Sequence, residues 1–409
     1  MMNLIERDVF MLKVRNALCF VLFLSVFALA SCSSGGDTST TQKLQASVED
    51  NWSSYKEQYS VPSGGLALYI ESPRGNYFVS TGLAATVDKD THFRIASNTK
   101  TFTAAAVMLL HQQGKLNIDD AIISNIPGTA EPYLPNTAPY AIPLKSDIKI
   151  RALLNHTAGV WDITNDPVIS NECLRAEYRG KIYPDYIMYE KGDPNHQFTL
   201  DELIEVVTDC QIKSFVPGTN YHYSNTGYTI LAKIIERVSG QTYDTFVSKN
   251  LLVTNGLSST TIPMLATDRT VPAPYCDGFV FEGGVFKPWN EDNMSPTVAE
   301  GNMISTPANL TQWIRKLIKG EAGINAANVE LMKTPSLHST SYGLGMLNGG
   351  GLGYGHNGAH NGFTSLMLYN QADDVSVVIY SNVMDNTNLP QEQAMFRKVA
   401  QEAKSILGY

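Results

Sequence analysis

Two residues in the first quarter of the chain have the types and the spacing of a serine nucleophile and its base. Ser97 and Lys100 stand three residues apart, just before an apolar run from Phe102 to Leu110. On a helix, positions three apart share a face, so the amine would reach the hydroxyl. A serine becomes a good nucleophile when a base takes its proton, and apolar surroundings lower the pKa of a lysine toward that task. Taken alone, the pair also fits a helix cap followed by a snorkelling lysine.

The stretch around this pair predicts a buried helix. Residues 93–114 read FRIASNTKTFTAAAVMLLHQQG. A helix that is apolar all round lies at the centre of a domain, and Gly114 provides its end. Its N-terminus would add partial positive charge where an oxyanion forms. The sequence therefore places a candidate nucleophile at the start of a central helix.

Strands are predicted near the two ends of the chain, as one hairpin before the Ser97 stretch and another within 364–381. We therefore expect an α/β (α+β) fold, in which N- and C-terminal strands form one antiparallel sheet flanked by helices. The sheet would use about residues 60–95 and 340–385. An all-helical region would be inserted at about 115–300.

One histidine outside the pair invites assignment as a base. His156 stands directly before Thr157-Ala158-Gly159. A lone histidine at such a turn is more often hydrogen-bonded to backbone, so we predict a structural role. The aromatic-rich segment 161–215 could wall a substrate cleft, although packing of an irregular segment is the interpretation we prefer.

The N-terminus has the composition of an export signal. Lys13 and Arg15 precede an apolar run at 17–30 that is too short to be a comfortable membrane span. The sequence Leu29-Ala30-Ser31-Cys32 resembles the lipobox of bacterial lipoproteins, in which the cysteine is lipidated and becomes the new first residue. An ordinary signal peptide with an incidental cysteine is the alternative. Met11, just before the basic residues, is a second candidate start besides Met1.

These features divide the chain into a lipoprotein signal peptide at 1–31, a polar flexible tether at 32–43 and a folded domain at 44–409. Lipid on Cys32 would anchor the domain to a bacterial membrane, on the periplasmic or cell-surface side. We therefore expect a membrane as a partner.

The composition excludes several other classes. The chain has 409 residues, 43% of them hydrophobic and 17% charged, as in ordinary globular proteins. With a net charge of −9 and no basic cluster interleaved with aromatics, nucleic acid is not an expected partner. No zinc-type cysteine spacing or phosphate-binding glycine loop is present, so no metal or cofactor is expected. Beyond the predicted leader and Cys32, the chain contains three cysteines. They fit either a Cys173–Cys210 disulfide with Cys276 free, or three buried thiols.

Three polar blocks in order resemble the motifs of the penicillin-recognising serine hydrolases: Ser97-x-x-Lys100, Tyr223-Ser224-Asn225 and His356-Asn357-Gly358. Because the middle motif is Tyr-x-Asn, the chain is most similar to the class C β-lactamase and D-alanyl-D-alanine carboxypeptidase branch, which resembles peptidase family S12. The segments LLNHTAGV, GNMISTP and PGTNYHYSNTGYTILAKIIERVSG resemble that branch as well. The resemblance covers about residues 46–409.

The resemblance implies a role for each residue of the first two motifs. Ser97 would form an acyl-enzyme, which splits a hard hydrolysis into two steps. Lys100 and Tyr223 would act as a coupled base, with the tyrosine as a phenolate that the lysine stabilises. Asn225 would bridge the lysine and the substrate amide. The backbone N–H groups of Ser97 and Ala359 would form the oxyanion hole.

The third motif departs from the Lys-Thr-Gly of the β-lactamases. His356 stands where a fixed cation is expected and Asn357 where a hydroxyl helps hold a substrate carboxylate, and Gly358 completes the predicted substrate-binding set. We therefore expect a D-alanyl-D-alanine carboxypeptidase-like enzyme, or a related amide or ester hydrolase, with a small peptide, β-lactam or ester as substrate. The alternatives are a class C-like β-lactamase and, in another class, a non-catalytic penicillin- or peptidoglycan-binding receptor.

Overall fold

A computed structural model describes residues 38–169, 173 and 175–409 of the chain. The predicted signal peptide and Cys32 lie outside the described residues. Within those residues, no helix combines the length and the apolar composition that a membrane crossing requires.

Strands from both ends of the chain form one antiparallel sheet. In spatial order they are β2 (Gly75–Thr81), β1 (Leu66–Ser72), β10 (Val375–Ser381), β9 (Phe363–Asn370), β8 (Tyr354–His360) and β7 (Leu347–Asn348). The N-terminal hairpin joins the C-terminal one through β1 and β10, in a register that sets Leu66 opposite Ser381. The predicted fold class is therefore confirmed.

Short strands outside this sheet tie the rest of the chain to it. They are β3 (Phe93–Arg94), which pairs with β6 (Ile304–Ser305), and β4 (Phe279–Glu282), which lies between β5 (Val285–Pro288) and β11 (Val383–Asp385).

Nine α-helices of four residues or more in the described part of the chain surround the strands. In chain order they are α1 (Thr38–Tyr59), α2 (Thr99–Gln112), α3 (Ile150–Leu154), α4 (Leu200–Cys210), α5 (Asn225–Ser239), α6 (Tyr243–Val247), α7 (Pro307–Lys319), α8 (Ala326–Lys333) and α9 (Leu389–Ile406). Single α-helical turns also occur at Tyr183–Asp185 and Val253–Asn255, and π-helical turns at Tyr186–Glu190 and Ser248–Leu252.

Alternation along the strands explains the layers on the two faces of the sheet. Successive side chains of a strand point to opposite faces. Leu66, Leu68 and Ile70 of β1 therefore share a core with α1 and α9, whereas Ala67 belongs to the larger core around α2. The two terminal helices cover one face, and α2 and α7 lie on the side of the reactive serine.

Helix α2 is the buried centre that the sequence predicts. Every residue from Thr99 through Leu110 is buried. The ring of Phe102 stacks on that of Trp313 in α7, with centroids 4.1 Å apart, and Trp313 Nε1 donates to Thr101 Oγ1 over 2.9 Å. Packing on all sides fixes the start of α2, and with it the position of Ser97.

The inserted region differs from the all-helical prediction, because it contains the β4–β5 hairpin. Phe279, Phe281 and Phe286 bring the alternating aromatic pattern of short strands, and Gly283-Gly284 makes the turn between them. The predicted tether also differs, since α1 begins at Thr38, before the predicted tether end at residue 43.

The cysteines follow the first of the two arrangements left open by the sequence. Cys173 and Cys210 are joined by a disulfide, which closes the loop between the two residues across the inserted region. Cys276 is a free, buried thiol, and burial raises its pKa to about 12.

Candidate active site

Ser97 lies in a strained turn that the sheet holds in place. A 3₁₀ turn at Ala96–Asn98 precedes α2, and Ala96 has φ +49°. A left-handed conformation at a non-glycine residue costs about 1–3 kcal/mol and persists only where its surroundings impose it. Here Asn98 Nδ2 donates to Ile95 O over 2.8 Å and to Ser365 Oγ of β9 over 2.9 Å. The turn is thus tied directly to the sheet.

Lys100 is fully buried, and its amine lies within 3.1 Å of three oxygen atoms. Nζ lies 3.1 Å from Ser97 Oγ, 2.6 Å from Asn225 Oδ1 and 2.8 Å from the backbone oxygen of Glu300. Burial lowers the pKa of Lys100, and the negative charges of Glu300 and Asp162 act in the opposite direction. The spacing that suggested a serine–lysine pair is therefore matched by a direct contact.

Tyr223 stands beside both members of this pair. Lys100 Nζ lies 4.8 Å from the centroid of its ring, and a hydrogen bond with Ser97 lowers the pKa of its phenol. Burial is the larger influence and raises the pKa of Tyr223 well above 10. The resting tyrosine is therefore a neutral phenol, in contrast to the phenolate expected from the sequence.

Asn225 is the first residue of α5, and both the oxygen and the nitrogen of its side-chain amide form hydrogen bonds. Besides the contact of Oδ1 with Lys100, Nδ2 donates to Thr164 Oγ1 over 3.0 Å. Its backbone N–H donates to Asp162 Oδ2 over 3.0 Å, and Ser224 caps the helix. The amide is thus pre-oriented against the lysine.

His156 supports the segment that carries Tyr223. Its Nδ1 accepts a hydrogen bond from the backbone N–H of Ser224 over 3.1 Å, and its ring lies 4.2 Å from that of Tyr223. Burial, and then the charge of Lys100, lower the pKa of His156 well below 6.5. A neutral imidazole bound to turn backbone is the structural role that the sequence predicts.

The third motif lies on β8, at the edge of the reactive turn. A Cβ at Gly358 would lie 2.4 Å from Ile95 O and 2.9 Å from Asn98 Nδ2, so only glycine allows this strand to approach. Asn357, Gly358 and Ala359 all line the same cavity as Ser97. Gly358 thus allows β8 to lie close to the turn that carries Ser97, and Ala359 is the next residue of that strand.

His356 does not have the substrate-binding position that the sequence predicts for it. Its side chain is buried and does not belong to the cavity lining. Nε2 lies 2.8 Å from Tyr342 Oη, which donates to it when Nδ1 donates to the backbone oxygen of Asn357. Burial, and then the charge of Lys100, lower the pKa of His356 to about 3. The histidine is therefore a neutral support of β8 at physiological pH, buried beside Tyr342 and outside the cavity lining.

Glu300 is a site residue that the sequence analysis missed. Its backbone oxygen accepts from Lys100, and its Oε2 lies 3.5 Å from the same amine. Burial raises its pKa to about 8, against the opposing influence of Lys100. The preceding Ala299 has φ +70°, a second strained residue at the site. The sequence contained a signal for this residue, since Glu300 directly precedes the GNMISTP segment that resembles the family.

The cavity above these residues holds about 600 Å³. Its floor contains Ser97, Tyr223 and Asn225, and its walls come from the inserted region and from β8. In the described part of the chain, no group of three or more His, Cys, Asp or Glu side chains could hold a metal ion. Four of the predicted residues, Ser97, Lys100, Tyr223 and Asn225, thus converge from distant parts of the chain, whereas His356 stands apart.

This convergence agrees with the family to which the chain belongs. The model of the Beta-lactamase family matches residues 53–402, so the protein is a member of that family of penicillin-binding-protein-like serine hydrolases.

Individual relatives are distant. "Probable hydrolase clz13" of Cochliobolus lunatus is 24% identical over 310 residues, which cover 68% of this chain and 48% of that protein. "Penicillin-binding protein 4" of Amycolatopsis lactamdurans is 25% identical over 362 residues, 82% of this chain and 84% of that protein. The chain thus spans about half the length of the first relative and most of the second.

The solved structures support the fold. A D-stereospecific amidohydrolase from Streptomyces sp. matches with a TM-score of 0.68 and 23% identity, over 84% of this chain and 94% of that chain.

Proposed function

We propose that this hydrolase acts through an acyl-enzyme at Ser97 and cleaves amide or ester bonds. The observation that carries the proposal is the 3.1 Å contact between Ser97 Oγ and the amine of Lys100, a buried lysine with a lowered pKa. A free amine in hydrogen-bond contact with a hydroxyl is the arrangement that activates a serine.

The hydrogen-bond partners of Lys100 fit a free amine. A neutral amine offers two N–H donors and one lone pair. Asn225 Oδ1 and Glu300 O accept the two donors. The lone pair of that form would face Ser97 Oγ, which accepts from Nζ over 3.1 Å in the structure, and the serine proton would pass to the amine along this contact.

Ser97, Lys100 and Tyr223 account for each proton transfer of the reaction. Ser97 Oγ adds to the acyl carbon while its proton passes to Lys100. The bond to the leaving nitrogen or oxygen breaks, the neutral phenol of Tyr223 protonates that atom, and the lysine ammonium returns a proton to the resulting phenolate. Water then adds to the acyl carbon while Lys100 takes one of its protons. The bond to Ser97 Oγ breaks, Oγ receives that proton from the lysine, and the free acid departs.

The oxyanion of each step would lie between the backbone N–H groups of Ser97 and Ala359. Gly358 supports this assignment, because its lack of a side chain allows β8 to reach the reactive turn. Loss of one such donor costs about 2.7–4 kcal/mol in the transition state.

Among substrate classes, an amide or ester without a terminal carboxylate fits the site better than a D-alanyl-D-alanine peptide or a β-lactam. Both of the latter present a carboxylate, and the neutral His356 cannot pair with it. The fold shared with a D-stereospecific amidohydrolase supports an amide substrate. The intact set of Ser97, Lys100, Tyr223 and Asn225 favours an enzyme over a non-catalytic receptor.

Attachment of the protein to a bacterial membrane through lipid on Cys32 is a further part of the proposal. It rests on the basic residues, the short apolar run and the lipobox-like sequence at 13–32. Labelling with a radioactive fatty acid in a bacterial host tests it, and a Cys32→Ser variant should lose the label.

Turnover of p-nitrophenyl acetate tests the proposed function. Ser97→Ala should lower kcat/KM by about a thousandfold or more, because no acyl-enzyme can form. Ser53→Ala, the same substitution at an exposed serine of α1, serves as the folded control and should keep wild-type activity. Activity of Ser97→Ala near that of the wild type would refute the proposal.

A further inference from the structure

Two further tyrosines lie beside Tyr223 at one end of the reactive cavity. The ring centroid of Tyr342 lies 6.1 Å from that of Tyr223 and 6.2 Å from that of Tyr221. Leu347 pairs with Gly355 of β8 and so reaches the same end. The side chains of Tyr221, Tyr342 and Leu347 all line the cavity, and together they are called the apolar end here.

The apolar end has no charge to offer a ligand. The hydroxyl of Tyr342 is used inside the protein, since it lies 2.8 Å from Nε2 of the buried His356. Burial raises the pKa of Tyr342 well above 10, and burial lowers the pKa of His356 to about 3, so both groups are neutral at pH 7. No lysine or arginine belongs to the cavity lining in the described part of the chain.

The acidic groups of the described lining lie elsewhere. Asp292 Oδ2 accepts from His360 Nε2 over 2.9 Å. His360 stands four residues beyond His356 on β8, so about 13 Å separate the two along the strand, which rises about 3.3 Å per residue. Burial, and then the nearby carboxylate of Asp292, raise the pKa of Asp185, which places this acid at the His360 end as well. The third acid, Glu300, lies next to the buried lysine.

The position of Tyr223 determines which part of a substrate meets the apolar end. In the proposed mechanism its phenol protonates the leaving atom, so the leaving group lies against Tyr223. The buried Lys100 and His156 occupy the protein side of this ring, with Nζ at 4.8 Å and the imidazole at 4.2 Å from its centroid. Tyr342 is a ring neighbour of Tyr223 that lines the cavity. The leaving group therefore extends toward the apolar end.

We propose that the leaving group of the substrate is uncharged and carries an aromatic ring, which packs against Tyr221, Tyr342 and Leu347. This inference rests on the proposed function and names its substrate class: esters and amides of alcohols and amines that carry an aromatic ring. Aromatic rings attract one another at centroid separations of about 4.5–7 Å, the spacing that Tyr342 already has to its two neighbours. A carboxylate on the leaving group would lose water at this end without meeting a cation.

Three acetate esters of alcohols with similar acidity test the inference. Benzyl acetate has an aromatic leaving group, 2-methoxyethyl acetate a neutral polar one, and O-acetylglycolate an anionic one. Each kcat/KM is divided by the rate constant for alkaline hydrolysis of the same ester, which removes differences in intrinsic reactivity. The corrected value should be at least about tenfold higher for benzyl acetate than for 2-methoxyethyl acetate, and lowest for O-acetylglycolate. Equal or better turnover of either ester without the ring would overturn the inference.

Variants at position 221 test the aromatic contact. Tyr221→Ala should lower the ratio of benzyl to 2-methoxyethyl kcat/KM about tenfold, whereas Tyr221→Phe, which keeps the ring, should preserve the ratio. Tyr275→Ala is the matched control, because it removes an exposed tyrosine that does not line the cavity. A ratio that survives Tyr221→Ala would overturn the assignment of this residue.

A new charge at position 347 tests where the leaving group lies without removing a ring. Leu347→Lys places an amine at a partly exposed position of the apolar end. It should raise kcat/KM for O-acetylglycolate relative to benzyl acetate about tenfold, because the carboxylate then meets a cation. Leu337→Lys, at a fully exposed leucine outside the lining, is the control. An unchanged preference in Leu347→Lys would overturn the proposed location of the leaving group.

Failure of the inference can be distinguished from failure of the proposed function. If p-nitrophenyl acetate is hydrolysed through Ser97 while benzyl acetate has no advantage over the other two esters, only the aromatic leaving-group site is refuted. If none of the four esters is turned over, both proposals are refuted.

Discussion

The amine of Lys100 lies 2.8 Å from the backbone oxygen of Glu300 and 3.5 Å from its carboxyl group. Two ionisable groups thus share one buried site, and the charge of either changes the pKa of the other. Since the pKa of Glu300 is raised to about 8, its carboxyl group is mainly neutral at pH 7. A neutral carboxyl group adds no charge that would oppose the lowering of the pKa of Lys100 by burial.

The first prediction concerns the pH at which activity appears. A carboxylate at Glu300 favours the ammonium form of Lys100 and so raises the pKa of the lysine. Glu300→Gln removes that charge, so its kcat/KM for a neutral ester should rise with pH at a lower pH than in the wild type. The surface variant Glu330→Gln should keep the wild-type profile. Identical pH profiles of wild type and Glu300→Gln would contradict this view of the pair.

The second prediction concerns the approach of β8 to the reactive turn. Because a Cβ at position 358 would lie 2.4 Å from Ile95 O, Gly358→Ala should displace Ala359 from the oxyanion position. We expect kcat to fall by about a hundredfold or more, in line with the loss of one oxyanion donor. Gly351→Ala is the control, because a Cβ at that position would have no atom within 4 Å. Equal kcat values for the two variants would count against the role of Ala359.

The third prediction concerns stability in acid. His356 has a folded-state pKa of about 3, below its unfolded value of about 6.5, so the fold favours the neutral ring. The contribution of the neutral His356 ring to the free energy of unfolding is fully present above pH 6.5 and is lost as pH falls toward 3. The free energy of unfolding should drop by up to about 1.4 kcal/mol per pH unit from this group in that range.

Urea denaturation between about pH 7 and pH 4, within the range set by the two pKa values, measures this slope. His356→Gln should show a shallower dependence on pH than the wild type, whereas replacement of the exposed His338 should not change it. An unchanged slope in His356→Gln would show that the buried ring does not account for the acid sensitivity.

Much of this arrangement could be predicted from the sequence, because it depends on local patterns. The apolar run after Ser97 predicts the buried α2, and the alternating segments near both termini predict the shared sheet. The three-residue spacing of Ser97 and Lys100 predicts their contact, because the helical turn that carries Ser97 runs directly into α2.

The parts that could not be predicted depend on tertiary burial. His356 stands in a glycine-rich stretch without strand propensity, and its burial beside Tyr342 depends on contacts that form only in the folded chain. The neutral state of Tyr223 follows from desolvation of its phenol inside the fold, which no local pattern reports. Glu300 directly precedes the GNMISTP segment, but its contact with Lys100 depends on the packing of the inserted region against α2.

The central claim is that Lys100, as a free amine, activates Ser97. The most direct measurement is the rate of acylation by p-nitrophenyl acetate before steady state, with the adduct mapped to a peptide by mass spectrometry. We predict an acetyl group on the peptide that contains Ser97, formed at least about a hundredfold more slowly in Lys100→Met. An adduct on another residue, or wild-type acylation in Lys100→Met, would contradict the claim.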